Sequence, residues 1–237
     1  IRRLDVAPEH LSRALGVLGM PGFTGWFGLT QHGRPKPGET LVVAAATGPV
    51  GSMVGQLAKR SGLRVIGIAG SDEKCQVAVN EFGFDHCINH RTFETAKAIR
   101  TELTQHAPDG IDIYFENVAG PILEAILPVM NVHGRIPVCG MISWYNAGRL
   151  GGNASIETLS APKIWRTILV NRLSVKGFII SDHWDHFSTF LTEVAPMVND
   201  GQIKFIEDIT TGLENTPQTF IGMLDGKNHG KTVIKLR

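Results

Sequence analysis

The stretch LVVAAATGPVGSMVG, residues 41–55, decides the fold of this chain. It opens with an unbroken apolar run, which is typical of a parallel strand that is covered on both faces. Three small residues then follow at the spacing Ala46-x-Gly48-x-x-Gly51, which is the dinucleotide fingerprint with alanine in its first place. Gly48 lets the backbone approach a pyrophosphate, and Gly51 lets the next helix pack closely on the strand. The stretch therefore predicts a strand, a glycine turn and a helix that bind a dinucleotide.

The residues around this stretch support the prediction. Val50, Val54 and Leu57 recur at helical spacing after the glycine turn. A second apolar strand follows at residues 64–69, and the two strands and their helix form a βαβ unit. The alternation continues with helices at 72–81, 93–105, 121–130, 162–170, 184–199 and 213–224, and with strands at 86–89, 111–116, 135–139, 173–180, 203–210 and 231–236. This order predicts an α/β fold with a doubly wound parallel sheet of the Rossmann type.

Composition excludes several classes of function. The 237 residues carry a net charge of +1, and their Lys and Arg residues are dispersed among acids, so we expect neither a nucleic-acid nor a membrane partner. An apolar run of membrane-spanning length and a signal peptide are both missing, which predicts a cytoplasmic protein. Its three cysteines, Cys75, Cys87 and Cys139, are widely spaced. We expect reduced, buried thiols and no metal site.

The end of the second strand bears on the choice between NAD and NADP. An NAD site usually places an acidic residue there, but this chain has Gly70 and Ser71, followed by Lys74. Together with His90 and Arg91 at the end of the third strand, Ser71 and Lys74 could hold a 2′-phosphate, which favours NADP. The alternative is that Ser71 only caps a helix whose first turn carries a solvated Lys74.

Further motifs carry a resemblance to a known family. They are MPGFT at 20–24, AATGPVG at 45–51, SDEK at 71–74, ENVAG at 116–120, SWYN at 143–146 and LENTPQTFIGMLDGKNHGK at 213–231. With these motifs, the chain resembles the medium-chain dehydrogenase/reductase superfamily from about Leu15 to its carboxyl terminus. Within the superfamily it is most similar to the zinc-independent branch of prostaglandin reductases, leukotriene hydroxydehydrogenases and bacterial curcumin reductases.

The resemblance implies a domain organisation. Relatives begin with a GroES-like catalytic domain, of which about 100 residues, an ordinary domain's worth, are not in this sequence, so we expect it to be a fragment. Residues 1–34 are then a linker and a helix that packs on the catalytic domain, residues 35–202 are the NADP-binding Rossmann domain, and residues 203–237 return towards the catalytic domain. We expect the apolar residues of both flanking segments, remnants of the GroES-like domain, to be exposed or covered by a partner.

The resemblance also implies a reaction. NADPH delivers a hydride to the β-carbon of an α,β-unsaturated ketone or aldehyde, and the resulting enolate is protonated. Tyr145 is the candidate donor to the carbonyl oxygen, while water could supply the proton because a free tyrosine is a poor base at neutral pH. The alternative is that Tyr145 is only a packing aromatic on the polar loop at residues 140–160, which follows a strand end and is a predicted active-site loop.

Cofactor-binding residues are carried over by the same resemblance. They are Gly48, Pro49, Val50 and Gly51 for the pyrophosphate, Lys74 and His90 for the 2′-phosphate, Asn117 near the ribose, Cys139 and Tyr145 beside the nicotinamide, Phe178, Ile179 and Ile180 as a wall of its pocket, and Asn228 as a closing contact. His90 stands where relatives have a tyrosine, and a neutral imidazole would bind the phosphate more weakly. Without the resemblance, Asn117 is a strand-end cap, Phe178 a core aromatic and Asn228 a turn residue.

Competing classes are separated by residues or by experiment. In a short-chain dehydrogenase the catalytic tyrosine is followed four residues later by a lysine, whereas Tyr145 of this chain is followed by Arg149. That class also has a glycine at the position where this chain has Ser52. A zinc alcohol dehydrogenase, a quinone oxidoreductase and a non-catalytic NADP-binding protein of the same fold stay open. Relatives often form homodimers through the nucleotide domain, and the strand at 173–180 is the predicted contact edge.

Overall fold

The computed structural model describes residues 7–147 and 161–236, and six of its strands form one parallel sheet. The strands are β1 (Thr40–Ala44), β2 (Arg64–Ala69), β3 (His86–Asn89), β4 (Ile111–Phe115), β5 (Met130–Val138) and β6 (Ser174–Gly177). Their order across the sheet is β3-β2-β1-β4-β5-β6, which is that of a dinucleotide-binding Rossmann fold. The predicted doubly wound parallel sheet is confirmed.

Helices cover both faces of this sheet. The α-helices are α1 (Met20–Phe27), α2 (Pro49–Arg60), α3 (Asp72–Asn80), α4 (Ala96–His106), α5 (Pro121–Ile126), α6 (Ala161–Asn171), α7 (Phe187–Asn199) and α8 (Thr216–Leu224). Short 3₁₀ turns lie at Pro8–Leu15, His90–Thr92, Leu127–Val129, Ile142–Ala147, Ile180–His186 and Leu213–Asn215, and a π-helical turn at Gly28–Gly33. A second, two-stranded parallel sheet pairs β7 (Glu207–Thr211) with β8 (Lys231–Lys235).

Two hydrophobic cores follow from the alternation of side chains along the buried strands. All five residues of β1 are buried, because helices cover the sheet on both sides. Leu41 and Val43 point into a core with α1, α2, α3 and α7, whereas Val42 and Ala44 point into a core with α4 and α5. The central strand β1 is therefore covered on both faces, and its carboxyl end is the part that a ligand can reach.

The first two crossover helices begin as their sequences predict. Pro49 occupies the first turn of α2, where its missing N–H costs no hydrogen bond, and Lys59 and Arg60 lie in the last turn. Ser71 caps α3, because its side chain accepts a hydrogen bond from the Lys74 amide at 3.3 Å. α4 begins at Ala96, three residues later than predicted, because Thr95 caps it by accepting from the Ala98 amide.

Three strands differ from their predicted bounds by more than one residue. β5 begins at Met130, five residues earlier than predicted, and its register against β4 shifts between Ile111 and Ile113. β6 is shorter than predicted, because Ile180 already belongs to a 3₁₀ turn.

β7 begins at Glu207, although the prediction places a strand start at residue 203. The Gln56 side chain accepts from the Lys204 amide at 2.8 Å and donates to the Lys204 carbonyl at 2.9 Å. Through these two bonds a side chain of α2 takes the place of a neighbouring strand.

The segment around α1 is integral to the described fold. Phe23 is fully buried and packs against Trp184, Phe187 and Phe190, and the Trp26 ring nitrogen donates to Glu193 at 2.8 Å. The expectation that the apolar residues of this segment are exposed or covered by a partner is therefore wrong for α1 after Met20, because this chain's own α7 region covers them.

In contrast, large apolar side chains in the carboxyl-terminal segment are exposed, as expected: Ile209, Leu213, Phe220 and Ile221. Across residues 7–147 and 161–236, the helices are too short or too polar to cross a bilayer.

Candidate active site

The predicted site residues follow the carboxyl ends of different strands. Because the strands of the large sheet are parallel, these ends meet at one edge. The strand order reverses between β1 and β4, whose crossover connections leave in opposite directions. Ligands of open α/β sheets bind in the crevice at such a switch point. The topology therefore places the glycine turn after β1 and Asn117 after β4 at the two sides of one crevice.

The glycine turn brings the amino-terminal end of α2 close to the end of β1. A Cβ on Gly51 would lie 2.3 Å from the Ala45 carbonyl oxygen, so only glycine lets α2 begin this near to the strand. Gly48 stands at the N-cap of α2 and donates to the Ala45 carbonyl at 3.0 Å. The amides of Val50 and Gly51, in the first turn of the helix, have no carbonyl partner within it and carry the positive end of its dipole.

The turn differs in one detail from the fingerprint read in the sequence. Its left-handed residue is Ala45, with φ of 53°, whereas Ala46 is buried and continues the pairing by donating to Ile68. Glycine adopts positive φ without cost, and alanine does not. The chain therefore tolerates strain where the strand turns into the phosphate loop, as functional loops often do.

Asn117 and Cys139 tie three strand ends together at the crevice. The Asn117 amide donates to the Ala44 carbonyl at 2.8 Å, and its oxygen accepts from the Cys139 thiol at 2.7 Å. Burial, followed by the nearby Glu116, raises the pKa of Cys139 to about 12, so the thiol is protonated at neutral pH. The Asn117 side chain thus acts as the strand-end cap, and its contact with a ribose stays a prediction.

Glu116 is a buried carboxyl that the sequence analysis did not single out. Its Oε1 accepts from the Tyr114 hydroxyl at 2.9 Å and from the amides of Val118 and Ala119 at 2.7 and 2.8 Å. Burial is the main influence on this carboxyl and raises its pKa, while the three donors oppose that rise. Glu116 therefore shapes the turn that carries Asn117. The available signal was an acidic residue directly after the apolar run of β4.

The loop after β5 is anchored to this turn. The Ile142 amide donates to Asn117, and the Ser143 amide and hydroxyl both donate to the Val118 carbonyl. Tyr145 lies in the same 3₁₀ turn, with 56% of its surface exposed. The loop that carries this exposed side chain is thus fastened to the turn after β4, and the role of Tyr145 stays a prediction. Residues 148–160 of the predicted active-site loop, Arg149 among them, lie outside the described residues.

A basic corner forms beside the glycine turn, at the ends of β2 and β3. The Lys74 ammonium donates to the Gly226 carbonyl at 2.6 Å, and the Arg91 guanidinium donates to the neighbouring Asp225 carbonyl at 3.0 Å. A Cβ on Gly70 would lie 3.3 Å from the Arg91 guanidinium and 3.7 Å from His90. The residues predicted for a 2′-phosphate are therefore brought together. Ser71 also caps α3, so part of the alternative holds as well.

Two pKa values in this corner are lowered, mainly by burial. Burial, followed by the charge of Arg91, lowers the pKa of Lys74, and the same two causes in the same order lower the pKa of His90. The carboxylates of Asp208 and Glu73 oppose the shift at Lys74 in part. An anion beside Lys74 and Arg91 would be held by both cations, which is what a phosphate-binding corner requires.

The remaining predicted residues fall into two groups. Phe178 is buried, with its ring centroid 5.9 Å from that of Phe27, so the core-aromatic alternative describes its packing. Ile179 is 65% exposed, and Ile180 is half-buried against the same core. Asn228 donates to the Gly230 carbonyl at 3.0 Å within the turn that also reaches Lys74. Their cofactor contacts stay predictions.

Comparison with known proteins adds to this geometry. Residues 49–195 match the family model described as zinc-binding dehydrogenase. The chain is 48% identical over 235 residues to the NADPH-dependent curcumin reductase of Escherichia coli (strain K12). The aligned residues cover 99% of this chain and 66% of that relative. It is 40% identical over 224 residues to the 2-alkenal reductase (NADP(+)-dependent) of Nicotiana tabacum, with 94% of this chain and 62% of the relative covered.

This chain is also similar to a protein of known structure. CurA from Vibrio vulnificus, crystallised in complex with NADPH, superposes with a TM-score of 0.89 at 45% identity, covering 100% of this chain and 68% of that one. The chain thus spans about two thirds of the length of the curated relatives it matches. Because the family model covers most of the sequence and the relatives match nearly all of it, the chain belongs to the zinc-binding dehydrogenase family, within the medium-chain dehydrogenases/reductases.

Proposed function

We propose that this protein is an NADPH-dependent reductase of the carbon–carbon double bond in α,β-unsaturated ketones and aldehydes. The observation that carries the proposal is the basic corner of Lys74, His90 and Arg91 beside the Gly48–Gly51 turn. A 2′-phosphate distinguishes NADP from NAD. The two cations, Lys74 and Arg91, give it a place, and the His90 ring is a further donor. The names of the curcumin and alkenal reductases, and the NADPH complex of CurA, support both cofactor and substrate class.

The chain's own residues would bind and orient the cofactor. The first-turn amides of α2 would donate to the pyrophosphate, and Lys74 and Arg91 to the 2′-phosphate. When bound, NADPH supplies the hydride that reduces the alkene. The protein must then hold the substrate in register and provide a donor where negative charge develops on the carbonyl oxygen.

Tyr145 is the donor that we assign to that carbonyl oxygen. Its hydroxyl is a good hydrogen-bond donor at neutral pH and a poor base, so it would stabilise the enolate while water protonates the carbon. Its place on a loop fastened to the turn after β4 supports the assignment. Phe178, Ile179, Ile180 and Asn228 are proposed to close the nicotinamide pocket.

Further properties belong to the same proposal. We propose zinc-independent catalysis, because the motifs resemble the zinc-independent branch. A homodimer would pair through β6, whose four residues are all exposed at the edge of the sheet. A cytoplasmic location is supported by three free cysteines, which oxidising compartments disfavour.

A GroES-like catalytic domain is the proposed cover of the exposed apolar residues in the carboxyl-terminal segment. Ile209, Leu213 and Phe220 each expose more than half of their surface, between 53% and 67%. They lie on or next to β7 and α8, in the segment that returns towards this domain in the proposed organisation. Burying them would remove apolar surface from water and fix the second domain over the crevice.

The test is an NADPH-oxidation screen of the full-length protein against enones, enals and quinones, with a parallel metal analysis. We expect oxidation that depends on the enone or enal, and a product that has lost the double bond and kept the carbonyl group. Activity with quinones alone would favour a quinone oxidoreductase. A stoichiometric zinc whose removal abolishes turnover would favour a zinc dehydrogenase. Binding of NADPH without turnover of any substrate would indicate a non-catalytic protein.

A further inference from the structure

Two thiols face each other beneath the basic corner. The sulfur atoms of Cys75, in the first turn of α3, and Cys87, in β3, lie 2.7 Å apart, and both cysteines are free. Gly67 of β2 is the partner of Cys87 in the sheet, and a Cβ there would lie 3.2 Å from the Cys87 sulfur. A Cβ there would also meet Ala46 at 2.8 Å and Phe84 at 3.0 Å, so the thiol lies in a tightly packed site. The proposed reductase function uses neither cysteine.

The two thiols have different environments. Cys75 is half-buried, and the Cys87 hydrogen bond, assisted by the Ala69 amide, lowers its pKa. Cys87 is buried, and the hydrogen bond to Cys75, followed by burial, raises its pKa. Thiolate character and access decide which cysteine an oxidant attacks. Cys75 is thus suited to be attacked first, and Cys87 to react with it afterwards.

We propose that Cys75 and Cys87 form a reversible disulfide, a modification site at the foot of the 2′-phosphate corner. With hydrogen peroxide as the oxidant, the Cys75 thiolate attacks one peroxide oxygen, the O–O bond breaks, and a sulfenic acid and a hydroxide form. The proton that the thiol lost on ionisation converts the hydroxide to water. The Cys87 thiol then attacks the Cys75 sulfur, a second water leaves, and the S–S bond forms. Two thiols are oxidised by two electrons, and one hydrogen peroxide is reduced to two waters. A dithiol reverses the step by exchange.

The fold allows this bond with little movement. A disulfide needs its sulfurs about 2.05 Å apart, and the two sulfurs already lie 2.7 Å apart. The bridge joins the amino-terminal end of a helix to a strand, 12 positions apart in the chain. Closing such a loop restricts the unfolded chain and stabilises the folded one. It also fixes the backbone directly after Lys74 and shortly before His90.

The experiment oxidises the intact protein with hydrogen peroxide and maps its thiols by mass spectrometry. We expect a mass loss of about 2 Da for the pair of hydrogens removed, a cross-linked peptide containing residues 75 and 87, and a higher Tm, all reversed by dithiothreitol. The matched control is Cys139→Ser, which should still form the cross-link. Cys75→Ser and Cys87→Ala should not, and Cys87→Ala should accumulate a sulfenic acid that dimedone traps.

Other results would overturn the proposal. A cross-link that involves Cys139, or over-oxidation of the wild-type protein without any cross-link, would show that the pair does not act as a redox unit. Should a variant fail to fold, alkylation of the wild-type protein replaces it as the deciding measurement. Mild oxidation must then protect Cys75 and Cys87 together and leave Cys139 as it was. Protection of only one of the two would also contradict the proposed disulfide.

Discussion

Replacing Lys74 by alanine tests the basic corner most directly. The lysine ammonium reaches the Gly226 carbonyl at 2.6 Å, so it is already held at the position where a 2′-phosphate is proposed to bind. Lys74→Ala removes this cation and leaves Arg91 and His90 in place. Because NADH lacks the phosphate, the variant should discriminate between the two cofactors.

The size of the effect follows from the electrostatics of the corner. Two unit charges 4 Å apart attract by about 4 kcal/mol at an effective dielectric constant of about 20. The burial that lowers the pKa of Lys74 takes back part of this gain, and Arg91 still faces the phosphate. A charge-assisted hydrogen bond with a net worth of about 1.5–3 kcal/mol remains. NADPH binding should therefore weaken by about 10- to 150-fold.

Calorimetry with NADPH and NADH measures the difference. We expect the NADPH affinity of Lys74→Ala to fall within that range and the NADH affinity to change by less than about threefold, since the pyrophosphate turn is untouched. Lys97→Ala, at an exposed lysine in α4, is the matched control and should change neither affinity. Equal weakening of both cofactors would refute a phosphate contact and leave Lys74 only a structural role.

Three further predictions concern the glycine turn, Tyr145 and the dependence of stability on pH. Gly51→Ala places a Cβ 2.3 Å from the Ala45 carbonyl oxygen and should lower the free energy of unfolding, measured in urea, by about 1–3 kcal/mol. Gly177→Ala is the control, because a Cβ at Gly177 meets open space. Equal losses of stability in the two variants would contradict the argument. Tyr145→Phe should reduce enone turnover of the full-length protein while NADPH affinity stays within a few-fold; unchanged turnover removes Tyr145 from the mechanism. Burial, and then a stacked histidine, lower the pKa of His86, so the unfolded chain binds more protons below its ordinary pKa of about 6.5, and stability should fall as the pH drops through that value. The urea midpoints at pH 7.5 and 5.5 should differ less in His86→Gln, and an unchanged difference would exclude this histidine as a cause.

Local sequence predicted most of the nucleotide-binding sheet. The apolar run of β1, the proline and glycines that start α2 and the cap at Ser71 are decided within a few residues, and all lie where the sequence places them. The prediction was wrong where a distant side chain satisfies the backbone, as at the start of β7. The Gln56 side chain satisfies the Lys204 backbone from a distant helix, so the strand begins later than its composition predicts.

The site shows the same limit. Positions after strand ends could be predicted, because parallel topology brings them to one edge. The atoms that these residues contact could not be predicted from the sequence. The amide of Asn117 is taken by Ala44 and Cys139, and Lys74 is held by a carbonyl 152 positions away. Glu116 was missed because its function is to hold two backbone amides and a phenol, and no motif describes that arrangement.

The aromatic packing around α1 constrains how the nucleotide-binding unit can be excised. A cut before Pro35, where the sequence suggests a domain border, would delete Phe23 and Trp26 and uncover the rings of Phe187 and Phe190 that they touch. Such a truncated protein would expose an apolar groove to solvent and would self-associate through it. A soluble excised unit has to retain the helix that precedes the first strand.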